Sequence, residues 1–166
     1  MLRLRPYKKC DAKYIVNWIE DEVTFRKWCA DMFDKYPIGA DDMNQQYSQH
    51  EDTDVFFPMT AFDESGVVGH LFMLFKDKEK KLLRFGYVIV DASKRGKGYG
   101  KEMLNLAIKY AFEILKVEKI TLGVFENNPS AYHCYKAVGF KDVEGKSQSY
   151  YLLGQDWKCL ELEIER

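Results

Sequence analysis

The fold of this chain is decided by residues 82–115, which read LLRFGYVIV (82–90), DASKRGKGYG (91–100) and KEMLNLAIKYAFEIL (101–115). An apolar run of strand length enters a glycine-rich, cationic turn, and the turn opens a long amphipathic helix. Leu104, Ala107, Ile108, Ala111 and Leu115 recur at helical spacing, with Glu102, Asn105, Lys109, Glu113 and Lys116 on the other side. Gly96, Gly98 and Gly100 let backbone amides turn inward free of Cβ atoms, and the unpaired amides of a helix's first turn carry partial positive charge. Arg95, Lys97 and Lys101 add full charges. The stretch reads as a cradle for a phosphate-bearing ligand.

Working outward, Ile120, Leu122 and Val124 alternate as a strand, so strand, helix and strand form a right-handed parallel crossover. Upstream, Val55–Phe62 and Val67–Phe75 read as two strands joined by Asp63-Glu64-Ser65-Gly66. The charged run Lys76–Lys81 reads as a solvated hairpin tip before the 82–90 strand. Gly86 within that strand marks a bulge or a close backbone approach. Downstream, Asn128 caps a helix with Pro129 at its first position, and Gly139 supplies a left-handed end. Phe140–Val143 and Trp157–Ile164 read as a closing pair of strands. At the other end, Leu2 and Leu4 alternate in a short strand ending at Pro6. Asp11 is the expected N-cap of a helix whose apolar face is Tyr14, Ile15, Trp18 and Ile19. A helix over Thr24–Ala30 turns Phe25 and Trp28 inward, and a third over 41–50 takes Asp41 or Asp42 as its cap. The expectation is one α/β domain of the mixed α+β kind over 1–166. Its centre is a mixed, mostly antiparallel sheet of about 6–7 strands flanked by helices.

Composition narrows the ligand. A formal net charge of −1 gives no global basic field for nucleic acid, so the local cationic cluster at 94–101 points to a small anion. Cys10, Cys29, Cys134 and Cys159 include no CxxC pair, which argues against a zinc site and against a disulfide framework. The charged N-terminus is unlike a signal peptide, and no apolar run approaches the roughly 20 residues that span a bilayer. A cytoplasmic protein is expected, with no membrane and no nucleic acid as partner.

Two phosphate motifs fail. A P-loop needs Gly-x-x-x-x-Gly-Lys-Ser/Thr, but Arg95 and Glu102 stand where the first glycine and the hydroxyl should be. A dinucleotide fingerprint needs G-x-G-x-x-G on the first crossover, whereas here the glycines are spaced G-x-G-x-G late in the chain. Arg95-Gly96-Lys97-Gly98-Tyr99-Gly100 instead resembles the R/Q-x-x-G-x-G/A signature of the GNAT superfamily of acyl-CoA-dependent N-acyltransferases. Asn128-Pro129-Ser130-Ala131 with Tyr135-Lys136-Ala137-Val138-Gly139-Phe140 is similar to that family's N-x-x-A-x-x-x-Y-x-x-x-G-F block. The resemblance covers residues 55–145 well and the first 50 in outline. MLRLRP at the start and Val143-Glu144-Gly145 also resemble the subgroup that acetylates ribosomal-protein N-termini or polyamines.

The resemblance implies acetyl-CoA as co-substrate, its pyrophosphate on Arg95, Gly96, Lys97, Gly98, Tyr99 and Gly100, with Lys101 or Arg95 near the nucleotide phosphates. It implies that Val88, Ile89 and Val90 part from the Ile120–Val124 strand and pair with the pantetheine arm, that an amide near Val88 polarises the thioester carbonyl, and that Asn128 bonds the pantetheine. The implied reaction is direct attack of a primary amine on the acetyl thioester, with Tyr135 as the catalytic acid that protonates the departing thiolate. The amine would belong to a small cationic molecule or a peptide or protein N-terminus, and a homodimer is left open. Cys134 beside His133 is not a catalytic pair, since adjacent helical residues point about 100° apart. The family's glutamate on the strand before the turn is absent here, where Arg84 is the only charge. The base therefore falls among Tyr87, His70, Glu22, Glu126 and a water chain. Without a base, a non-catalytic acyl-CoA-binding regulatory module on the same fold is the alternative. Glu20, Asp21, Glu22, Asp31, Asp34, Asp41, Asp42 and Glu51 offer an acidic rim to a cationic acceptor.

Overall fold

A computed structural model describes residues 1–166. Eight strands form one sheet in the order β1-β2-β3-β4-β5-β8-β6, with β7 beside β8. They are β1 (Arg3–Pro6), β2 (Phe56–Asp63), β3 (Gly66–Phe75), β4 (Leu82–Val90), β5 (Lys119–Phe125), β6 (Lys141–Asp142), β7 (Gln148–Leu152) and β8 (Gln155–Glu165). Five helices flank it: α1 (Ala12–Asn17), α2 (Glu22–Cys29), α3 (Ala40–Ser48), α4 (Tyr99–Glu113) and α5 (Pro129–Ala137). Only β4 and β5 pair in parallel, as the crossover through α4 demands. The mixed, mostly antiparallel sheet is thus the expected one, with β7 as a strand the sequence reading passed over.

The sheet separates two cores. On one face, Met103, Leu104, Ala107 and Ala111 of α4 and Tyr135 of α5 pack on Leu71, Met73, Leu83, Phe85, Ile120 and Leu122. On the other, Ile15 and Trp18 near α1, Phe25 and Cys29 of α2, and Met43 and Tyr47 of α3 pack on Tyr87 and Ile89. Leu83, Phe85, Tyr87 and Ile89 alternate as if they shared one face, yet the first two lie on the α4 side and the last two on the α2 side. A bulge causes the change. Phe72 pairs with Gly86 and His70 with Ile89, so Tyr87 and Val88 together oppose Leu71. The extra residue reverses the alternation. Tyr87 takes φ 52°, a left-handed backbone that costs a non-glycine residue about 1–3 kcal/mol. The bulge is therefore one residue beyond Gly86. Gly86 is the close approach instead: a Cβ there would lie 2.1 Å from Cζ of Phe72.

Several capping expectations change. Asp11 precedes α1 but makes no bond to it. Its carboxylate is buried and accepts from Arg5 at 2.8 and 2.9 Å, from the Lys8 amide at 2.8 Å and from Thr60 at 2.7 Å, tying β1 and β2 to the helical layer. Tyr14 is 44% exposed, so it is not part of the α1 apolar face. The α3 helix starts at Ala40 after Gly39, and Asp42 reaches back to accept the Gly39 amide at 2.8 Å. Asp21 caps α2 by accepting the Thr24 amide at 2.7 Å. Asn128 precedes Pro129 as expected, but its side chain makes no cap bond.

Candidate active site

The parallel pairing of β4 with β5 stops at Arg84 opposite Thr121. Beyond that point the strands part, and a cleft of about 770 Å³ opens between them. Its walls are Phe85–Val90 of β4, Leu122–Val124 of β5, the glycine turn with the start of α4, one side of α5, and Thr24, Lys27 and Trp28 of α2. Val88, Ile89, Val90, Arg95, Gly96, Gly98, Tyr99, Gly100, Lys101, Asn128 and Tyr135 all line it. Lys97, exposed on the turn, does not.

The turn is built as an open cradle. Gly96 and Gly98 take φ 76° and 84°, and nothing lies within 4 Å of the position a Cβ would occupy on either. A side chain at either place would be strained and would project into the free space that an anion needs. Gly98 directly precedes α4, whose first-turn amides face the same space. Lys94, Arg95, Lys97 and Lys101 have no carboxylate partner, so their charge is available to a ligand. The helix start is anchored from the side, where the Tyr99 hydroxyl donates to Asp63 at 2.8 Å. These features fit a pyrophosphate, and the unpaired edge of β4 fits an extended amide chain lying along it. Uncapped, the Asn128 amide is free to serve such a chain.

At the inner end, Tyr135 is buried, packs edge-on against Phe140 and lines the cleft. Burial raises its phenol well above the ordinary tyrosine value, so it stays protonated at neutral pH. Cys134 lines the cleft near Gly100, with Sγ 3.4 Å from that residue's would-be Cβ, and burial raises its thiol too. His133 is exposed and packs edge-on against Tyr132 rather than against Cys134.

No carboxylate lines the cleft. His70 is fully buried away from it, bonded to the Tyr47 hydroxyl at 2.7 Å, and burial lowers its pKa to about 3. Glu22 is exposed at the start of α2, and Glu126 pairs with Lys158 at 3.5 Å. Tyr87 lines the cleft, but burial raises its phenol and the hydroxyl donates to Gln46 at 2.8 Å. Arg84, the only charged residue of β4, bonds Glu161 at 2.5 Å. None of the four side chains is a base in place.

The residues missed by sequence reasoning come from α2. Trp28 reads as core by its helical position, yet its indole N–H donates to the Tyr87 carbonyl at 3.0 Å at the cleft wall. The following loop is pinned beside it. Arg26 donates to the carbonyls of Ala30 and Phe33 at 3.1 and 2.7 Å, and Gln46 donates to that of Met32 at 3.0 Å. Ala30 packs against the cluster of Phe125, Leu152 and Trp157. Asp31, the next residue of that loop, is exposed and makes no ion pair.

Comparison with known proteins agrees with this geometry. A family model described as the acetyltransferase (GNAT) family matches residues 15–140. Spermidine N(1)-acetyltransferase of Vibrio cholerae is 23% identical over 155 residues, covering 93% of this chain and 87% of its own length. Spermine/spermidine N(1)-acetyltransferase of Bacillus subtilis is 32% identical over 89 residues, 51% of this chain and 59% of that protein. The crystal structure of spermidine N-acetyltransferase from Vibrio cholerae in complex with CoA and spermine superimposes with a TM-score of 0.83 at 22% identity, over 99% of this chain and 95% of that one. With a glycine cradle, a parted strand pair and a family match over most of its length, the chain belongs to the GNAT family and is an acetyl-CoA-dependent N-acetyltransferase.

Proposed function

We propose that this chain moves the acetyl group of acetyl-CoA directly onto a primary amine of a small polyamine. The observation that carries the reading is the parting of β4 from β5 beyond Arg84, which leaves one cleft running from the glycine cradle to Tyr135. The amides of Gly96–Gly100 with Arg95 and Lys101 would hold the pyrophosphate. The β4 edge at Val88–Val90 and the Asn128 amide would hold the pantetheine, whose bound thioester supplies the acetyl group. Tyr135, kept protonated by burial, would supply the proton that the departing thiolate needs.

The acceptor end supports a cationic amine. Asp31 is exposed and unpaired on the loop that follows α2, whose Thr24, Lys27 and Trp28 wall the cleft, and the cationic Arg84 is neutralised by Glu161. Curated relatives named for spermidine or spermine support the same class. With no carboxylate lining the cleft, the amine would lose its proton to solvent before attack. Steady-state kinetics over spermidine, spermine, putrescine and short peptides with free N-termini test this reading. Asp31→Asn should raise KM for spermidine several-fold at unchanged KM for acetyl-CoA, since a partly exposed ion pair is worth about 1 kcal/mol. A peptide turned over at far higher kcat/KM than any polyamine would replace it.

A further inference from the structure

The bulge in β4 has an unusual support. Below it, the Lys76 amide bonds the Leu82 carbonyl at 2.9 Å; above it, the Asp91 amide bonds the Val68 carbonyl at 2.8 Å. Antiparallel alternation from these two bonds turns the backbone groups of Gly86 and Ile89 toward β3. The Tyr87–Val88 peptide lies between them and has no place in that ladder. Trp28 takes its carbonyl, at 3.0 Å, from the α2 side of the sheet. In a trans peptide the N–H points opposite to the carbonyl. The Val88 N–H is thereby turned away from α2, toward the face where α4 and α5 wall the cleft.

We propose that Trp28 is a positioning residue for acetyl transfer: its indole N–H locks the Tyr87–Val88 peptide so that the Val88 N–H addresses the thioester oxygen. This rests on the coenzyme reading above. The left-handed φ of Tyr87 makes such a lock necessary, because a strained peptide held by nothing would relax. The ring of Trp28 is itself held, with its centroid 4.5 Å from that of Tyr87 and stacked on Phe33 at 6.3 Å. The Tyr87 side chain is tied down by its bond to Gln46. A fixed donor aimed at developing charge needs no reorganisation during reaction, which is why such donors act on kcat rather than on binding.

The test uses Trp28→Phe, which keeps an aromatic ring and removes the N–H, and Phe33→Leu, which loosens the same stack and spares it. Acetyl-CoA labelled with ¹³C at the acetyl carbonyl is bound to each protein, and the carbonyl stretch is read by difference infrared spectroscopy alongside kcat and coenzyme affinity. The wild type should shift the stretch to lower frequency. Trp28→Phe should lose most of that shift at unchanged coenzyme affinity, and kcat should fall about tenfold. That loss is smaller than the 10²–10³ that follows removal of a direct donor, because the amide remains but wanders. Phe33→Leu should melt earlier and keep the shift. A Trp28→Phe protein with full shift and full kcat overturns the proposal, as does a folded Phe33→Leu protein that loses the shift as completely. If the wild type does not bind acetyl-CoA, the coenzyme reading itself fails. If it binds but acetylates no amine, the infrared comparison still decides the role of Trp28.

Discussion

Tyr135 and Asp11 show how burial sets two side chains to different tasks. Burial, with a smaller push from the neighbouring Cys134 and Cys159 thiols, holds the proton on Tyr135, which suits a proton donor. Tyr135→Phe keeps the packing against Phe140 and removes the proton, so kcat should fall about 100-fold or more with little change in coenzyme affinity. Thiol-release kinetics with a parallel coenzyme titration separate the two effects. At Asp11, burial pushes the carboxyl up, but bonds from Arg5, Lys8 and Thr60 outweigh it and the net shift is downward. A carboxyl whose folded pKa is lowered stabilises the fold above its unfolded value near 3.9, and that stability is lost as pH falls through the folded value. Asp11→Ala should cost about 3 kcal/mol at pH 7, by stranding Arg5 and Thr60. Urea titrations should show the gap to wild type narrowing below about pH 4. The sequence made Tyr135 conspicuous by its motif. It offered Asp11 only as a helix cap, because a long-range pairing with Thr60 leaves no local signature.

At the scale of elements, the strand–turn–helix at 82–115 does most of the positioning, and its halves were unequally legible. Strand β4 runs over the residues its apolar run suggested, and α4 begins within the glycine turn. Gly86 marked a bulge or a close approach, and the bulge lies one residue further on, where the pattern hides it because Leu83, Phe85, Tyr87 and Ile89 keep a perfect period of two through it. Only the pairing with β3 reveals the inserted residue. Strand β7 was missed for a related reason: of its residues Gln148–Leu152 only Leu152 is buried, so its polar, exposed pattern reads as loop. Two variants test the element. Gly98→Val should abolish coenzyme binding, read by calorimetry, while the protein still folds cooperatively. Its melting point should drop by several degrees from the strain of a β-branched residue at φ 84°. Gly86→Ala should destabilise by about 1–3 kcal/mol, since its Cβ meets the Phe72 ring, and Phe72→Leu should recover part of that loss in the double variant.

For the whole molecule, the sheet separates α4 and α5 on one face from α1–α3 on the other, and the parted strands β4 and β5 open the cleft within it. No helix is long and apolar enough to cross a membrane. The lack of a carboxylate along the cleft has a kinetic consequence. An ammonium with a pKa near 10 must deprotonate in solvent, so kcat/KM should rise about tenfold per pH unit between 6 and 9. His70, neutral above about pH 3, adds no break near 6.5, and Tyr135, raised by burial, adds no falling limb in that range. The central claim is that the acetyl group passes to the amine without resting on the protein, although the Cys134 thiol lines the same cleft. It is tested most directly by mixing the protein with acetyl-labelled acetyl-CoA, first alone and then with spermidine. No label should remain on the denatured, washed protein, and coenzyme A thiol should appear only with the amine, matched by acetylated spermidine. Stoichiometric label on the protein before amine is added, or bound coenzyme that releases no thiol with any amine, would contradict the account.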